Sequence, residues 1–298
     1  MTWIADAAIG RLRALDDRPD FSGTRYELLD PIGRGGMGIV FRGRDRELDR
    51  EVAIKVTTWA TAADAERLRA EARTLARLEH PGIVPVHDVG RLPDGRVFTV
   101  MMLVRGERLD ARAAALPLGD RLRLFDRVCD TVSFAHARGL VHRDLKPANI
   151  MIGEHGQVLV LDWGLARAES DAGARGGAAG GTEGYMAPEQ STPAFEVRSD
   201  VYALGAILRD LAGTDGAPMP RPLASIVARA TQADPARRYA TPAALAADVR
   251  QFVDGAAVGA HRESPFEWTA RQARAYRTPI ALVLAYLAMR AALLFWGD

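Results

Sequence analysis

The sequence has 298 residues, of which 48% are hydrophobic and 26% are charged. This composition is typical of a folded protein with a large core and excludes a mainly disordered chain. The 39 basic and 38 acidic residues leave a formal net charge of +1, so there is no charge excess that would favour nucleic-acid binding. The only lysines are Lys55 and Lys146, and every other basic residue is arginine. Because arginine serves at most exposed sites, the two lysines indicate positions that need a compact ammonium group.

The N-terminal residues 1–22 predict a short amphipathic leader helix that ends in a polar stretch. They lack the long apolar core of a secretory signal, so we expect the main domain to stay in the cytoplasm. The single cysteine, Cys129, lies in an apolar helical pattern. One cysteine excludes both a disulfide framework and a cysteine-rich metal site.

The first third of the chain has the two-residue alternation of strands, interrupted by one helix at 62–78. From Leu118 onward the apolar spacing becomes helical, apart from a hairpin predicted at 150–161. This order predicts an α+β protein with two lobes: a small β-rich N-lobe (about 23–104) with one main helix and a larger helical C-lobe (about 105–254). The predicted strands are 26–32, 38–44, 51–57, 84–89 and 97–103.

A glycine-rich stretch at 33–40 reads G-x-G-x-x-G-x-V. Such a loop would open a helix in a dinucleotide-binding fold, but here strand-forming residues follow, so the loop belongs to a hairpin. Glycines there let backbone amides approach a polyphosphate closely.

Lys55 lies in the apolar strand that follows the glycine-rich loop. A lysine in that setting needs a partner, and anionic phosphates and Glu71 on the following helix are both candidates. A lysine on the exposed face of the strand is the alternative.

The stretch His142-Arg143-Asp144-Leu145-Lys146-Pro147-Ala148-Asn149 resembles the catalytic loop of the protein kinases. Further signatures follow in the order of that family: Asp162-Trp163-Gly164, then 181–189 ending in Ala187-Pro188-Glu189, then 199–205. The resemblance spans about 26–252 and is strongest to bacterial serine/threonine kinases of eukaryotic type. It implies the bilobal protein-kinase-like fold.

The resemblance implies a set of catalytic roles. Lys55, paired with Glu71, would hold the α- and β-phosphates of ATP. Asp144 would accept the proton of the substrate hydroxyl group, and Lys146 would reach the γ-phosphate. A lysine at that last position is similar to serine/threonine rather than tyrosine kinases.

The resemblance also implies the ligands of the cofactors. Asn149 and Asp162 would bind Mg²⁺, with Mn²⁺ as an alternative metal, through the oxygen atoms that hard cations prefer. Met101 falls at the gatekeeper position, and the backbone of 102–104 would bind adenine. The residues expected to contact ATP are Ile32, Gly33, Gly35, Gly36, Gly38, Val40, Ala53, Lys55, Met102, Val104 and Met151.

Two structural roles are implied as well. His142 and Trp163 would belong to the packed column that joins the lobes of a kinase, and Glu189 would form a buried ion pair with Arg238. Trp163 departs from the phenylalanine that is common at its position.

The sequence departs from the family pattern in two further places. The segment after Leu211 runs almost directly into the next helix, so a helix and loops that help kinases dock protein substrates look deleted. The loop from Gly164 to Glu189 offers only Ser170, Thr182 and Tyr185 as hydroxyl groups. Thr182 matches the substrate-facing threonine of the family, so Ser170 is the only other serine or threonine in the loop. The loop therefore does not favour regulation by phosphorylation.

The C-terminal segment 280–296 is apolar except for Arg290 and follows a linker, 255–279, that contains several arginines. A helix of this length is slightly shorter than the hydrocarbon core of a bilayer. The pattern predicts a transmembrane helix that anchors the kinase domain to the inner membrane; a helix that packs on the C-lobe or on a partner is the alternative.

These features predict an ATP-dependent serine/threonine protein kinase whose partners are protein substrates and not nucleic acid. A nucleotide-binding pseudokinase or signalling scaffold is the alternative, because of the shortened segment after Leu211. A small-molecule phosphotransferase would share the chemistry, but the segment 182–189 resembles a peptide-positioning loop.

Overall fold

The computed structural model divides into two compact units. The first contains the described residues up to Leu109 together with those of 148–167, and the second contains those of 110–147 and from Ala168 onward. The residues that the structure describes are 18–35, 38–57, 75, 78–163, 167–168, 184–191, 197–214 and 216–296.

The first unit contains a five-stranded antiparallel sheet in the order β1-β2-β3-β5-β4. The predicted strands are confirmed within a few residues. Their observed bounds are β1 Tyr26–Gly35, β2 Gly38–Asp45, β3 Arg50–Thr57, β4 Val86–Arg91 and β5 Val97–Met102.

Strand β3 lies between β2 and β5, and successive side chains of a strand point to opposite faces. Val52, Ile54 and Val56 therefore share one face and are buried in the apolar core. Lys55 points the other way, opposite Val40 of β2 and Thr99 of β5. The other members of this core are Phe21, Tyr26, Leu28, Phe41, Leu92, Phe98 and Val100.

The residues just before β1 belong to this core. The ring of Phe21 packs on Phe98 with centroids 4.9 Å apart, and Arg18 donates to the carbonyl groups of Leu28 and Leu29. Of the predicted leader at 1–22, residues 1–17 lie outside the described residues, and 18–22 are not helical.

A second sheet of the first unit has the order β6-β8-β9, with β6 at Gly106–Arg108, β8 at Ile150–Gly153 and β9 at Val158–Val160. Strands β8 and β9 form the predicted hairpin at 150–161. The sequence assigned this hairpin to the C-lobe, but β8 pairs with β6 and Val160 bridges to Ile83, so it belongs to the first unit.

The second unit is mainly helical. The helices from 109 to 253 are α1 Leu109–Ala113, α2 Leu118–His136, α3 Val197–Gly213, α4 Arg221–Ala230 and α5 Pro242–Val253. Helix α2 buries Leu122, Phe125, Val128 and Val132 on one face, as the periodicity of the sequence predicts. Helix α2 packs against α5 and α3, and α4 packs against α3 and α5.

The described residues between α3 and α4, which are 214 and 216–220, form no helix. The short connection predicted from the sequence is therefore confirmed there. Short strands lie at Leu140–Val141 (β7) and Arg167–Ala168 (β10), and 3₁₀ turns lie at Pro147–Asn149, Pro188–Ser191 and Pro235–Arg237.

Two helices follow α5. Helix α6, Pro265–Ala275, lies within the stretch predicted as a linker, and a capping box between Ser264 and Glu267 begins it. Glu267 also lies 3.4 Å from His261, whose Nδ1 is 3.1 Å from the hydroxyl oxygen of Ser225 on α4. These contacts join the residues after α5, which we call the C-terminal extension, to α4 within the second unit.

Helix α7, Arg277–Trp296, covers the predicted membrane segment. Its described large apolar side chains from Ile280 to Met289 are exposed. No helix within the described part of the chain is long and apolar enough to span a bilayer. The predicted transmembrane anchor is therefore not supported.

Candidate active site

In the first unit, Lys55 forms an ion pair with Asp162. The Lys55 Nζ atom lies 2.6 Å from Oδ1 of Asp162, and the side chain of Lys55 is only 22% exposed. An anionic partner stabilises an ammonium group that is partly buried. The observed partner comes from the predicted metal-binding motif, and the partial burial of Lys55 counts against the alternative of an exposed strand lysine.

Asn149 and Asp162 flank the β8–β9 hairpin at the same end. Ile150 pairs with Val160, so the residue before β8 and those after β9 are neighbours, and Leu161 N–H donates to the Asn149 carbonyl at 2.8 Å. Asp162 has φ = +54°, a left-handed conformation that costs free energy in any residue except glycine.

This end of the hairpin fits a magnesium ion. An amide oxygen and a carboxylate are hard oxygen donors, and Mg²⁺ in proteins is commonly held by one or two such groups together with phosphates. No cluster of three or more His, Cys, Asp or Glu side chains suited to a metal occurs among the described residues. One amide oxygen and one carboxylate suit a metal that also takes phosphate oxygens as ligands.

Trp163, which follows Asp162, is buried and hydrogen-bonded. Its indole N–H donates to the Val160 carbonyl at 3.1 Å, and the side chain is 4% exposed. A buried tryptophan generally finds such an acceptor, so the polar group that distinguishes it from phenylalanine is satisfied here.

The glycine-rich stretch forms the hairpin between β1 and β2, as the sequence predicts. Gly35 pairs with Gly38, and Gly33 pairs with Val40. A Cβ atom on Gly38 would lie 2.2 Å from the carbonyl oxygen of Val56, so only glycine fits there. Ile32, which precedes this stretch and is also expected to contact ATP, is exposed.

The residues expected near adenine lie on neighbouring strands. Ala53 pairs with Met101, the predicted gatekeeper, and Val52 pairs with Met102. Met102 N–H donates to the Pro85 carbonyl, which leaves the Met102 carbonyl and Val104 as the candidate adenine partners. Met151 is the half-buried residue of β8 between two buried isoleucines.

In the second unit, Asp144 and Lys146 form an ion pair. The Lys146 Nζ atom lies 2.8 Å from Oδ2 of Asp144, and the two side chains are 23% and 17% exposed. Each of the two lysines of the chain thus contacts a carboxylate that the sequence singled out.

The backbone before Asp144 is held by Asp200 of α3. Oδ2 of Asp200 accepts from His142 N–H and Oδ1 accepts from Arg143 N–H, both at 2.8 Å. Oδ2 also lies 2.7 Å from Nε2 of His136. Burial acts to raise the pKa of Asp200, but the bond from His136 and the other donors outweigh it and hold this pKa below its ordinary value.

The predicted ion pair between Glu189 and Arg238 is confirmed. Arg238 donates from two nitrogens to the two carboxylate oxygens of Glu189 at 2.6 and 2.7 Å, and Ser199 donates to the same carboxylate. The remaining donors of Arg238 reach the carbonyl groups of Arg198, Gln232 and Ala233. This network fixes Glu189, the last residue of the predicted peptide-positioning loop.

Several predicted residues lie outside the described part of the chain. These are Glu71, the expected partner of Lys55, together with Gly36, Ser170 and Thr182. Their roles stay predictions. Tyr185 is described, and its hydroxyl group donates to Asp210 at 2.5 Å; burial first, and then this bond, raise the pKa of Tyr185 to about 12.

Sequence reasoning missed His136. A lone histidine at the end of an apolar helical pattern gives no signal, and its partner Asp200 lies 64 residues away. Asp200 was part of a recognised signature, yet that signature did not show which residues it holds.

The chain matches the protein kinase domain model over residues 26–252. That range contains every catalytic and metal-binding residue proposed from the sequence.

Similar proteins carry the same type of domain. The serine/threonine-protein kinase PknA of Mycobacterium tuberculosis is 43% identical over 199 residues, which are 61% of this chain and 45% of that protein. The DNA damage-responsive serine/threonine-protein kinase RqkA of Deinococcus radiodurans is 41% identical over 196 residues, 62% of this chain and 29% of the relative. The serine/threonine-protein kinase PknB of Mycolicibacterium smegmatis is 39% identical over 206 residues, which are 65% of this chain and 33% of that protein. The chain thus spans less than half the length of these curated relatives.

Proposed function

The chain belongs to the protein kinase domain family, and we propose that it transfers the γ-phosphate of ATP to serine and threonine hydroxyl groups of proteins. One observation carries the proposal: the only two lysines of the chain lie 2.6 Å and 2.8 Å from carboxylates of two different kinase motifs. Because every other basic residue is arginine, this distribution supports a requirement for ammonium groups at phosphate-binding positions. The names of the similar proteins agree with this proposal.

The first unit would hold the nucleotide. The hairpin of β1 and β2 presents backbone amides to the phosphates, and Lys55 neutralises charge on the α- and β-phosphates. Asn149 and Asp162 would bind Mg²⁺, which supplies further neutralisation of phosphate charge when it is bound. The Lys55–Asp162 ion pair orients the two side chains before ATP arrives.

The second unit would supply the acid–base chemistry. The substrate hydroxyl group loses its proton to Asp144 as its oxygen forms a bond to the γ-phosphorus, and the bond from that phosphorus to the bridging oxygen breaks to release ADP. Lys146, held by Asp144, stabilises the charge on the transferred phosphoryl group.

A nucleotide-binding scaffold with little transferase activity is the second candidate. The observation that favours it is the short connection between α3 and α4, because the missing helix would reduce the surface available for docking a protein substrate.

Transfer of radiolabelled phosphate from ATP to the protein itself or to myelin basic protein separates the two candidates. We expect labelling by the wild-type chain and none above background by Asp144→Asn. Nucleotide binding without labelling, equal in both chains, would favour the scaffold.

A further inference from the structure

We propose that Arg105 is a positioning residue for adenine, which holds the backbone of residues 103–104 in place through an ion pair with Glu51. This inference deepens the proposed function and rests on it. Neither Arg105 nor Glu51 contacts the nucleotide in this scheme, since both act through the backbone beside it.

The segment 103–105 joins the two sheets of the first unit. Strand β5 ends at Met102 and β6 begins at Gly106, and the three residues between them belong to neither strand. Met102 N–H donates to the Pro85 carbonyl at 3.1 Å, which fixes the start of the segment. Because the segment is so short, the contacts at its two ends decide where its carbonyl and amide groups point.

Arg105 connects the other end of the segment to both sheets. Its guanidinium Nη2 donates to Oε2 of Glu51 on β3 at 2.6 Å, and its carbonyl accepts from Glu154 N–H, between β8 and β9, at 3.1 Å. A Cβ atom on the next residue, Gly106, would lie 2.1 Å from the Ile152 carbonyl oxygen, so the backbone is packed closely on β8. The second sheet thus holds the backbone at this end, and Glu51 ties it to the first sheet.

The two charges of this pair stabilise each other. The hydrogen bond from Arg105 is the largest cause that holds the pKa of Glu51 below its ordinary value, and the bond to Glu51 raises the pKa of Arg105. The other carboxylate oxygen of Glu51, Oε1, lies 3.4 Å from Arg42 on β2. Oε2 is therefore directed at Arg105.

Solvent exposure limits the size of the effect. The side chains of Arg105 and Glu51 are 65% and 32% exposed, and water weakens an ion pair at such a site. The usual contribution of an exposed pair corresponds to a change of at most about fivefold in a dissociation constant. We therefore expect loss of the pair to change adenine affinity without unfolding the protein.

The experiment is a double-mutant cycle in the full chain, with Arg105→Gln, Glu51→Gln and both changes together. It measures the dissociation constants of a fluorescent ATP analogue and of adenosine, which competes with it, and kcat and KM for ATP in phosphate transfer. Arg91→Gln is the matched control, because Arg91 is an exposed arginine of the same unit whose Nε donates to the Gly95 carbonyl.

We expect each single variant to weaken the binding of the ATP analogue and of adenosine by the same factor, about two- to fivefold. KM for ATP should rise by that factor, with kcat within about 1.5-fold of the wild type. The double variant should bind no more weakly than either single variant, because the two side chains act as one pair. Arg91→Gln should match the wild type.

Salt supplies a readout that a change in packing alone would not move. Adenosine carries no charge, so about 1 M NaCl should act mainly on the ion pair and reduce the difference between wild type and single variants to less than about 1.5-fold. Unchanged adenosine binding in the single variants, effects that multiply in the double variant, or a difference that survives this salt concentration would each overturn the positioning role.

The same measurements separate this inference from the proposed function. A wild-type chain that binds the ATP analogue but labels no better than Asp144→Asn would overturn the proposed function alone, and the adenosine data would still decide on Arg105. A wild-type chain that binds neither the analogue nor adenosine would overturn both.

Discussion

Arg238 and Glu189 are joined by two parallel hydrogen bonds, of 2.6 and 2.7 Å, in a site where the arginine side chain is fully buried. A planar guanidinium group matches a carboxylate in this way, and lysine cannot reproduce the pair. The pair connects the 3₁₀ turn at Pro188–Ser191 to the segment before α5.

Removal of one partner should therefore destabilise the second unit strongly. Arg238→Gln leaves Glu189 and three backbone carbonyl groups without their donors, and we expect a loss of about 3 kcal/mol in the free energy of unfolding, measured with urea. Arg250→Gln is the matched control, because the Arg250 side chain is 55% exposed and its pair with Asp126 should contribute less than about 1 kcal/mol. Equal losses in the two variants would contradict this.

The same pair should make stability depend on pH. Burial acts to raise the pKa of Glu189, but the bonds from Arg238 and Ser199 outweigh it and hold this pKa below its ordinary value. A depressed folded-state pKa contributes stability in full above the unfolded value, and that stability is lost as the pH falls through the folded value. We expect the difference in unfolding free energy between wild type and Glu189→Gln to shrink as urea titrations move from about pH 6 to about pH 3. A difference that stays constant would contradict the assignment.

Lys55→Arg should abolish most of the phosphate transfer although it keeps the positive charge. A guanidinium group is larger and planar, so it cannot occupy the 2.6 Å contact with Asp162 and a phosphate in the way that an ammonium group does. We expect transfer to fall by about 100-fold or more, measured as labelling of myelin basic protein. Arg42→Lys, at a half-buried position of strand β2 in the same sheet, is the control and should retain activity. Full activity of Lys55→Arg would show that the scarcity of lysine has no chemical cause.

Asp248 should stabilise the C-terminal extension. Its carboxylate accepts from Gly259 N–H, Ala260 N–H and the hydroxyl group of Tyr239, at 2.7 to 3.0 Å. Asp248→Ala leaves three donors unsatisfied, and we expect a loss of about 2–3 kcal/mol in urea unfolding, against about 1 kcal/mol for Tyr239→Phe. Asp254→Ala, an exposed change just after α5, should have no measurable effect. A small effect of Asp248→Ala would mean that the extension is held by other contacts.

The sequence predicted the strands and the motif residues well because both depend on local patterns. The alternation in β3 placed Lys55 opposite the apolar core, and the spacing of the kinase motifs pointed to Asp144, Asn149 and Asp162. Contacts between distant segments were harder to predict. Asp200 bonds to His136, and Asp248 bonds to the backbone at 259–260. An aspartate can accept from many donors, so its residue type alone does not indicate which distant donor it binds.

Two local signals were also misread. The stretch Ser264-Pro265-Phe266-Glu267 has the capping-box pattern, which predicts the start of α6, yet it was assigned to a linker. The apolar run after Arg277 was interpreted as a membrane span from composition, although Arg290 and its short length weaken that interpretation.

The indole hydrogen bond of Trp163 raises the free-energy cost of moving its ring out of the buried site. A phenylalanine can swing out of its pocket by exchanging one apolar environment for another, whereas the tryptophan must also break its bond to the Val160 carbonyl, at a net cost of about 1 kcal/mol. An inhibitor that binds only when this ring has left its pocket should therefore bind the wild-type protein several-fold more weakly than it binds the Trp163→Phe variant. The tryptophan thus lowers the affinity of the protein for that class of compound.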